Sequence, residues 1–282
     1  MASKPLTILN GSEVAKLREQ DLLAKVSSLS TRPHLVIIQV GNNPASTKYI
    51  EYKKKFSTRI GANVTHEKYE DKITEEDLVK NISAYNNDDS VHGIIVQLPL
   101  PKHIKPWIIM DAINPKKDVD GLTSTNLRHV YENNEIILPA TTKGIFTLLS
   151  HYHISLSGKH VVVIGRSSLV GKPTALAAIN RNATVTVCHS HTDDLISVTK
   201  TADILIVAIG QPELIKEGYI KKGCVVVDVG INVKEDNKVA GDVLFESLSE
   251  KADAMSPVPG GVGPMTIVSL FENLMQAYEL QK

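Results

Sequence analysis

The most constraining stretch of the sequence is 160–179, which reads HVVVIGRSSLVGKPTALAAI. A β-branched run ends at Gly165, a turn of small residues follows, and Pro173 opens an Ala/Leu-rich segment that favours helix. The unpaired N–H groups at such a helix start can hold the pyrophosphate of a dinucleotide. The match to GxGxxG is imperfect, because Ser167 replaces the second glycine and Gly171 comes one residue late. An ordinary buried strand and helix of a doubly wound sheet would also explain this turn.

The sequence after this turn continues the same alternation. Apolar runs lie at 183–187, 202–209, 224–229 and 252–258. Helix-compatible segments separate these runs, which is the pattern of parallel strands joined by crossover connections. The fold class that this pattern predicts is α/β, with a Rossmann-like domain built on a parallel sheet.

The end of the second predicted strand indicates which dinucleotide binds. An NAD enzyme usually has an acidic residue there for the ribose hydroxyls, whereas this chain has His189 and Ser190. Arg166 lies in the turn that faces this strand end, and a guanidinium suits a 2′-phosphate. We therefore expect NADP rather than NAD.

Composition narrows the class of protein further. A length of 282 residues suits two modest domains, and 31 basic residues balance 31 acidic ones, which favours neither nucleic acid nor a membrane surface as partner. Cys188 and Cys224 fall in predicted buried strands, which suggests neither a disulfide framework nor a metal cluster. The amino-terminal residues do not resemble a signal peptide and no apolar run is long enough to span a membrane, so we expect a cytoplasmic protein.

The first half of the chain predicts a second α/β lobe. Its expected elements are a helix at 12–26 with Leu17 and Leu23 on its apolar face, a buried strand at 34–40, a helix at 45–60, an edge strand at 63–69 and a buried strand at 91–100. We place the domain junction near Pro139, and we expect a last helix at 265–280 to pack back on this lobe.

The helix at 45–60 carries the most informative polar residue of the lobe. Tyr49, Tyr52, Lys53, Phe56 and Ile60 have the spacing of one helical stripe. Lys53 would then project into a cleft, where partial loss of hydration lowers its pKa and allows proton exchange near neutrality. A solvated face for the whole run of three lysines is the alternative.

Three further sites contain candidate residues. Gln97 ends a predicted strand, at the sheet edge where ligands bind in open α/β folds, although a satisfied core glutamine would look the same. Asp120 precedes Gly121 and can point between the domains, while Asp118 can cap a turn; turn chemistry alone would explain both. The segment 256–266, rich in glycine and proline, can approach a flat ligand closely.

These residues together resemble the bifunctional methylenetetrahydrofolate dehydrogenase/cyclohydrolase family. The matching stretches are VGNNPASTKYIEYK at 40–53, GIIVQLPLP at 93–101, PKKDVDG at 115–121, VIGRSSLVGKP at 163–173, ATVTVCHSHT at 183–192, DVGIN at 228–232, GDV at 241–243 and PVPGGVGPMT at 257–266. They cover nearly the whole chain in the family's order.

The resemblance implies two lobes with an active-site cleft between them. The folate-binding lobe would comprise residues 1–138, completed by 265–282, and the NADP-binding lobe residues 139–264. It makes Lys53 catalytic, Tyr49 its stacking partner, Gln97 a tuner of Lys53 and Asp120 the anchor of the pterin. The implied cofactor contacts are Gly165, Arg166, Ser167, Ser190 and Ile231, and the implied substrate contacts include Pro259, Gly260, Gly261 and Gly263. It implies no metal, and a homodimer.

The implied chemistry is oxidation of 5,10-methylenetetrahydrofolate by NADP, followed by hydrolysis of the methenyl product to 10-formyltetrahydrofolate. The chain departs from the family at 139–144, where PATTKG replaces PCTPxG. Three alternatives are a dehydrogenase without cyclohydrolase activity, another two-lobed Rossmann reductase acting on a small carboxylic substrate, and a non-catalytic NADP-binding protein.

Overall fold

The computed structural model describes residues 5–234 and 238–282. Residues 1–4, which belong to the segment where we expect no signal peptide, therefore lie outside the described residues. The chain divides into two compact units. We call Met1–Ala15 with Thr141–Thr266 the six-stranded unit, and Lys16–Ala140 with Ile267–Lys282 the three-stranded unit.

The secondary structure alternates strands and helices along most of the chain. The strands are β1 Thr7–Ile8, β2 His34–Val40, β3 Asn63–Tyr69, β4 Gly93–Gln97, β5 His160–Ile164, β6 Thr184–Cys188, β7 Ile204–Val207, β8 Val225–Asp228, β9 Asn232–Val233, β10 Val239–Ala240 and β11 Ala254–Met255. The α-helices are α1 Gly11–Ser27, α2 Pro44–Ile60, α3 Glu75–Asn86, α4 Pro106–Asp111, α5 Ser124–Tyr131, α6 Ala140–His151, α7 Gly171–Ile179, α8 Leu195–Thr199, α9 Phe245–Leu248 and α10 Val262–Leu280.

The six-stranded unit contains a sheet with the strand order β1-β11-β8-β7-β5-β6, in which every pairing is parallel. The β-branched residues of its central strands β5 and β7 are buried on both faces, as in a sheet covered by helices. The chain runs from β5 outward to β6 and then returns to β7 on the other side of β5. This reversal is the switch point at which Rossmann-like sheets bind dinucleotides, and it confirms the predicted fold class.

The three-stranded unit contains a parallel sheet with the order β3-β2-β4, so β3 lies at an edge as predicted. β2 and β3 have the predicted bounds, and β4 is shorter than the apolar run around it. One face of this sheet packs on α3 and α4 through fully buried residues such as Val36, Leu78 and Ile109. The carboxyl ends of β2 and β4 are in register, with Gln39 paired to Gln97.

Several sequence-based expectations are wrong in detail. Leu17 and Leu23 are 51% and 44% exposed, so the buried face of α1 is narrower than the apolar spacing suggests. β1 pairs with β11, which places the start of the chain in the six-stranded unit rather than in the amino-terminal lobe. α7 begins at Gly171, two residues before Pro173, and Cys224 directly precedes β8 instead of lying in it.

Within the described residues, every helix is too short or too polar to cross a membrane.

Candidate active site

The helix that carries Lys53 has well-defined ends. The Asn43 side chain accepts a hydrogen bond from the Ser46 backbone N–H at 3.0 Å, and Pro44 occupies the first turn, where its missing N–H costs nothing. Gly61 ends the helix in the left-handed region, at a φ of +78°. Lys53 lies on the buried face of this helix with Ile50 and Phe56, and it is only 8% exposed.

Lys53 is held by the last residue of β4. Its Nζ donates a hydrogen bond of 2.8 Å to Oε1 of Gln97. Nε2 of Gln97 donates to the Leu98 carbonyl at 3.0 Å, and the Ser46 hydroxyl donates to that same carbonyl at 3.0 Å. The Gln97 amide therefore has a defined orientation, because its nitrogen is committed to Leu98 and only its oxygen can face the ammonium.

The surroundings of Lys53 change its acidity. Burial lowers the pKa of Lys53 from 10.5 to about 8, an effect that the nearby Asp120 carboxylate partly offsets. Burial also raises the pKa of Asp120 to about 6, against the attraction of Lys53. At neutral pH the pair is therefore mostly an ammonium and a carboxylate, with a minor fraction of neutral amine available as a base.

The loop that carries Asp120 is tied down on both sides. The Asp118 carboxylate accepts hydrogen bonds from Gly121 N at 2.9 Å and Thr123 N at 2.8 Å, so Asp118 has the predicted turn-capping geometry. The Asn273 side chain, from α10, donates to the carbonyl of Val119 at 2.9 Å and to that of Leu138 at 2.9 Å. Sequence analysis missed Asn273, whose partners lie more than 100 residues away.

Tyr49 lies one helical turn before Lys53 and is partly exposed. Burial of its ring, followed by the neighbouring Tyr52, raises the pKa of its phenol. Tyr52 is 45% exposed, so the predicted stripe is wrong at that position, while Phe56 and Ile60 are buried as predicted. An accessible ring beside a buried ammonium can stack on a flat heterocycle.

The turn between β5 and α7 has the shape of a phosphate-binding turn. Gly165 has a φ of +122°, a conformation that suits glycine. A Cβ on Gly171 would lie 2.1 Å from the Gly165 carbonyl oxygen, so the late glycine allows close packing of the helix start on the strand end. The Ser167 hydroxyl accepts hydrogen bonds from Val170 N and Gly171 N, at 3.2 and 3.3 Å.

The predicted contacts for a 2′-phosphate follow the ends of neighbouring strands. The Gly165 N–H donates to the Cys188 carbonyl at 2.9 Å, which joins the ends of β5 and β6. Arg166 and Ser190 come one and two residues after these positions, and both are exposed. A cation and a hydroxyl at adjacent strand ends suit a phosphate monoester.

The glycine-rich segment packs on the start of α1 within the same unit. Ser12 N–H donates to the Gly260 carbonyl at 2.9 Å, and a Cβ on Gly11 would lie 1.9 Å from the carbonyl oxygen of Gly261. A Cβ on Gly263 would meet the Ile231 side chain at 3.6 Å. Pro259 and Ile231 are exposed.

The candidate residues thus form two groups. The three-stranded unit contains Tyr49, Lys53, Gln97 and Asp120, and the six-stranded unit contains Gly165, Arg166, Ser167, Ser190, Ile231, Pro259, Gly260, Gly261 and Gly263. Among the described residues, no group of three or more His, Cys, Asp and Glu side chains is placed to hold a metal ion.

A Rossmann-like sheet with a glycine turn, in a chain that also buries a lysine beside a glutamine and an aspartate, defines a two-domain dinucleotide-dependent α/β enzyme. The catalytic-domain model of the tetrahydrofolate dehydrogenase/cyclohydrolase family matches residues 9–120, and its NAD(P)-binding-domain model matches residues 139–282. The chain therefore belongs to this family of bifunctional enzymes, which combine a dehydrogenase with a cyclohydrolase.

Individual relatives agree over their whole length. The bifunctional protein FolD of Helicobacter acinonychis is 43% identical, with 100% of this chain and 98% of the relative aligned. The crystal structure of the bifunctional FolD of Campylobacter jejuni superposes with a TM-score of 0.96 at 41% identity, covering 98% of this chain and all of the other. A Trypanosoma brucei FolD, solved with NADP and an inhibitor, gives a TM-score of 0.93 at 32% identity over 99% of both chains.

Proposed function

We propose that the chain oxidises 5,10-methylenetetrahydrofolate with NADP and then hydrolyses the 5,10-methenyl product to 10-formyltetrahydrofolate. The observation that carries this proposal is the buried Lys53 ammonium, hydrogen-bonded to Gln97 and near Asp120. Hydride transfer from the methylene carbon moves no proton, so that step by itself does not require a lysine whose pKa is lowered to about 8. The proton transfers of the hydrolysis do need such a group.

Asp120 and Tyr49 are suited to hold the folate. With a pKa of about 6, Asp120 is mostly ionised at neutral pH, and its carboxylate can accept two parallel hydrogen bonds from the amino-pyrimidinone edge of a pterin. The accessible Tyr49 ring supplies an apolar face for stacking. Together they would orient the bridging carbon that reacts, which is where positioning lowers the barrier.

The dinucleotide would lie on the turn between β5 and α7, where Gly165 and Gly171 allow close approach of the backbone. When bound, NADP accepts the hydride that leaves the methylene carbon. Arg166 and Ser190 would hold the 2′-phosphate, and no carboxylate stands at the end of β6 to repel it. The residues of the turn therefore fit NADP and favour it over NAD.

Lys53 would move the protons of the second step. Its neutral amine takes a proton from the water that attacks the methenyl carbon, which forms the new carbon–oxygen bond. The resulting ammonium then donates a proton to N5 as the bond between N5 and this carbon breaks. The hydroxyl proton of the adduct is released to solvent, which leaves the formyl group on N10.

We further propose that the three-stranded unit binds folate, that the six-stranded unit binds NADP, and that the protein is a cytoplasmic homodimer. Support for the homodimer comes from family resemblance, and light scattering on the purified protein would test it. Support for a reducing compartment comes from Cys188 and Cys224, which are both buried and unpaired.

One cuvette experiment tests the proposed function. The protein is mixed with NADP and methylenetetrahydrofolate, and the absorbances of NADPH and of the methenyl compound are followed together. We expect NADPH to accumulate while the methenyl compound stays low, because the second activity removes it. A methenyl signal that grows in step with NADPH would indicate a dehydrogenase alone, and the absence of both signals would exclude the folate reaction.

A further inference from the structure

Two buried aspartates of the six-stranded unit have no role in the chemistry described above. Asp242 is fully buried and Asp228 is 3% exposed. Both lie in stretches that match the family, DVGIN and GDV, in which only Ile231 received a function. Buried carboxylates are costly unless several donors satisfy them, so their partners show what they hold.

Asp242 binds the segments that follow two neighbouring strands. One carboxylate oxygen accepts from Ile209 N at 2.7 Å and Gly210 N at 3.0 Å, in the loop after β7. The other accepts from Gln211 N at 2.8 Å and from the Asn232 side chain at 2.9 Å, just after β8. Asp242 therefore ties together the loops at the carboxyl ends of β7 and β8.

Asp228 holds Asp242 in turn. Its carboxylate accepts from Asp242 N at 3.0 Å, Val243 N at 2.9 Å and Gly230 N at 2.9 Å. Glycine is needed at both contacts: a Cβ on Gly241 would lie 1.8 Å from the Asp228 carboxylate, and one on Gly230 would lie 2.3 Å from that of Asp242. We call Asp228 and Asp242 the paired-aspartate clamp.

The clamp lies on one particular side of the switch point. A dinucleotide bound across this crevice has its pyrophosphate at the turn after β5. Its adenosine half extends toward β6, where Arg166 and Ser190 are placed, so its nicotinamide half must extend toward β7 and β8. The loops that the clamp fixes are the loops on that side, and they include Ile231.

We infer that Asp242, supported by Asp228, is a positioning residue that shapes the nicotinamide half of the cofactor site and leaves the adenosine half independent of it. This inference rests on the proposed use of NADP. It predicts that a substitution in the paired-aspartate clamp changes the affinity for one of two ligands that share an adenosine half, and leaves the affinity for the other unchanged. NADP would lose affinity, while adenosine 2′,5′-bisphosphate, which lacks the nicotinamide ribose, would bind as before.

The test is calorimetric titration of wild type and of Asp242→Asn with both ligands. Asparagine keeps the shape but replaces one acceptor oxygen by an NH₂ group, which faces two N–H donors whichever oxygen it replaces. We expect the Kd for NADP to rise at least about fivefold and kcat for NADP reduction to fall at least about tenfold. The affinity for adenosine 2′,5′-bisphosphate and the cyclohydrolase rate should stay within about twofold of the wild-type values.

Two further variants test the same role of Asp242. Asn232→Ala removes one donor to Asp242 without touching a carboxylate, and it should shift NADP affinity in the same direction by a smaller factor. Asp203→Asn is the matched control. Asp203 accepts a hydrogen bond from His160 N, at the start of β5, at 2.9 Å, so it lies at the amino ends of the strands of the same sheet. This control should leave both ligands unaffected.

Either of two results would overturn the inference: unchanged affinity for both ligands in Asp242→Asn, or an equal loss for both. If Asp242→Asn does not fold, an Asn232→Ala variant with unchanged NADP affinity also overturns it. A wild-type protein that binds NADP but does not oxidise methylenetetrahydrofolate would refute the proposed function, and the two binding measurements would still decide the role of Asp242.

Discussion

The Lys53 ammonium donates to the amide oxygen of Gln97 at 2.8 Å, and Gln97 cannot turn its nitrogen toward Lys53 without losing its bond to Leu98. Lys53 therefore has a neutral hydrogen-bond acceptor, and among the described residues Asp120 is the carboxylate that offsets part of the cost of its charge. Burial lowers the pKa of Lys53 to about 8, and the neutral Gln97 amide adds no charge that would raise it again. Changing the charge at position 97 should move this pKa.

Gln97→Glu places a carboxylate where the amide oxygen lies. The ammonium is then stabilised, and we expect the pKa of Lys53 to rise by about 1 to 2 units. The cyclohydrolase rate of the wild type should increase with pH toward about 8, as the neutral amine forms. In Gln97→Glu this increase should shift to higher pH. The rate at pH 7 should fall by about tenfold for each pH unit by which the pKa of Lys53 rises. An unchanged pH profile would show that Gln97 does not set the acidity of Lys53; Gln97→Met, which adds no charge, is the control.

Lys53→Met should separate the two activities. Hydrolysis needs a group that accepts and returns a proton, so we expect the cyclohydrolase rate to fall by about 100-fold or more. Hydride transfer needs mainly positioning and should fall less. Lys54→Met is the matched control, because Lys54 is partly exposed and pairs with Glu51 at 3.3 Å. Full cyclohydrolase activity in Lys53→Met would refute the proposed role of the lysine.

The same variant should differ from the wild type in how its stability depends on pH. Because the pKa of Lys53 in the folded chain lies below its value of 10.5, the unfolded chain binds more protons between about pH 8 and 10.5. The cost of the buried charge is thus full below pH 8, on the order of 3 kcal/mol, and it disappears as the pH rises toward 10.5. The substitution removes this cost, but it also removes the bond to Gln97 and the cation that attracts the buried Asp120 carboxylate, so we expect the variant to lack the wild type's gain in stability between about pH 8 and 10.5.

Thermal unfolding of both proteins at pH 7 and at pH 9.5 measures this effect. The melting temperature of the wild type should rise relative to that of Lys53→Met between pH 7 and pH 9.5. A difference between the two melting temperatures that stays the same at both pH values would mean that the pKa of Lys53 is not lowered in the folded protein.

Arg166 should determine the preference between dinucleotides. Its removal takes away the cation that we propose for the 2′-phosphate and no group that NAD requires, so Arg166→Ala should raise KM for NADP by about tenfold or more. The KM for NAD should stay within about twofold of wild type. Lys159→Ala is the control, since Lys159 is an exposed cation at the amino end of β5, whereas Arg166 follows the carboxyl end of this strand. An equal change for both dinucleotides would remove Arg166 from the 2′-phosphate site.

Local sequence patterns were sufficient for most strands and for the residues that follow them. The β-branched runs of β2 and β5 identify themselves, and Gln97 and Arg166 could be selected because each lies at or after the carboxyl end of a buried strand. β1 could not be found this way, since two residues carry no periodic signal and its pairing with β11 spans most of the chain.

Local sequence patterns also could not predict the exposure of individual side chains or hydrogen bonds between residues far apart in the chain. Tyr52 follows the helical spacing of the Lys53 stripe, but it is exposed, because spacing does not tell how wide a buried face is. Nothing in the sequence singled out Asp228, which lies in the apolar run at 224–229, or Asp242. Their function as acceptors depends on a fold that brings the loops after β7 and β8 to one carboxylate.

Asn273 offers a test of how the last helix contributes to the proposed folate site. Its fully buried amide donates to the carbonyls of Val119 and Leu138, and Val119 directly precedes Asp120. Asn273→Leu leaves both carbonyls without this donor, so we expect a loss of about 2 to 4 kcal/mol in the free energy of unfolding. Since Asp120 would lose its fixed position, KM for methylenetetrahydrofolate should also rise, by about tenfold, with NADP affinity unchanged.

Asn86→Leu separates these two effects. Asn86 also ties loop backbone in the three-stranded unit, donating to the Ala112 carbonyl at 2.7 Å and accepting from Asn114 N at 2.9 Å, and neither of these partners adjoins Asp120 in the chain. Chemical denaturation should show that both variants lose stability, whereas steady-state kinetics should show a raised KM for folate only in Asn273→Leu. A normal KM in a folded Asn273→Leu protein would mean that the Asp118 turn alone keeps Asp120 in place, and that α10 contributes stability without positioning the carboxylate.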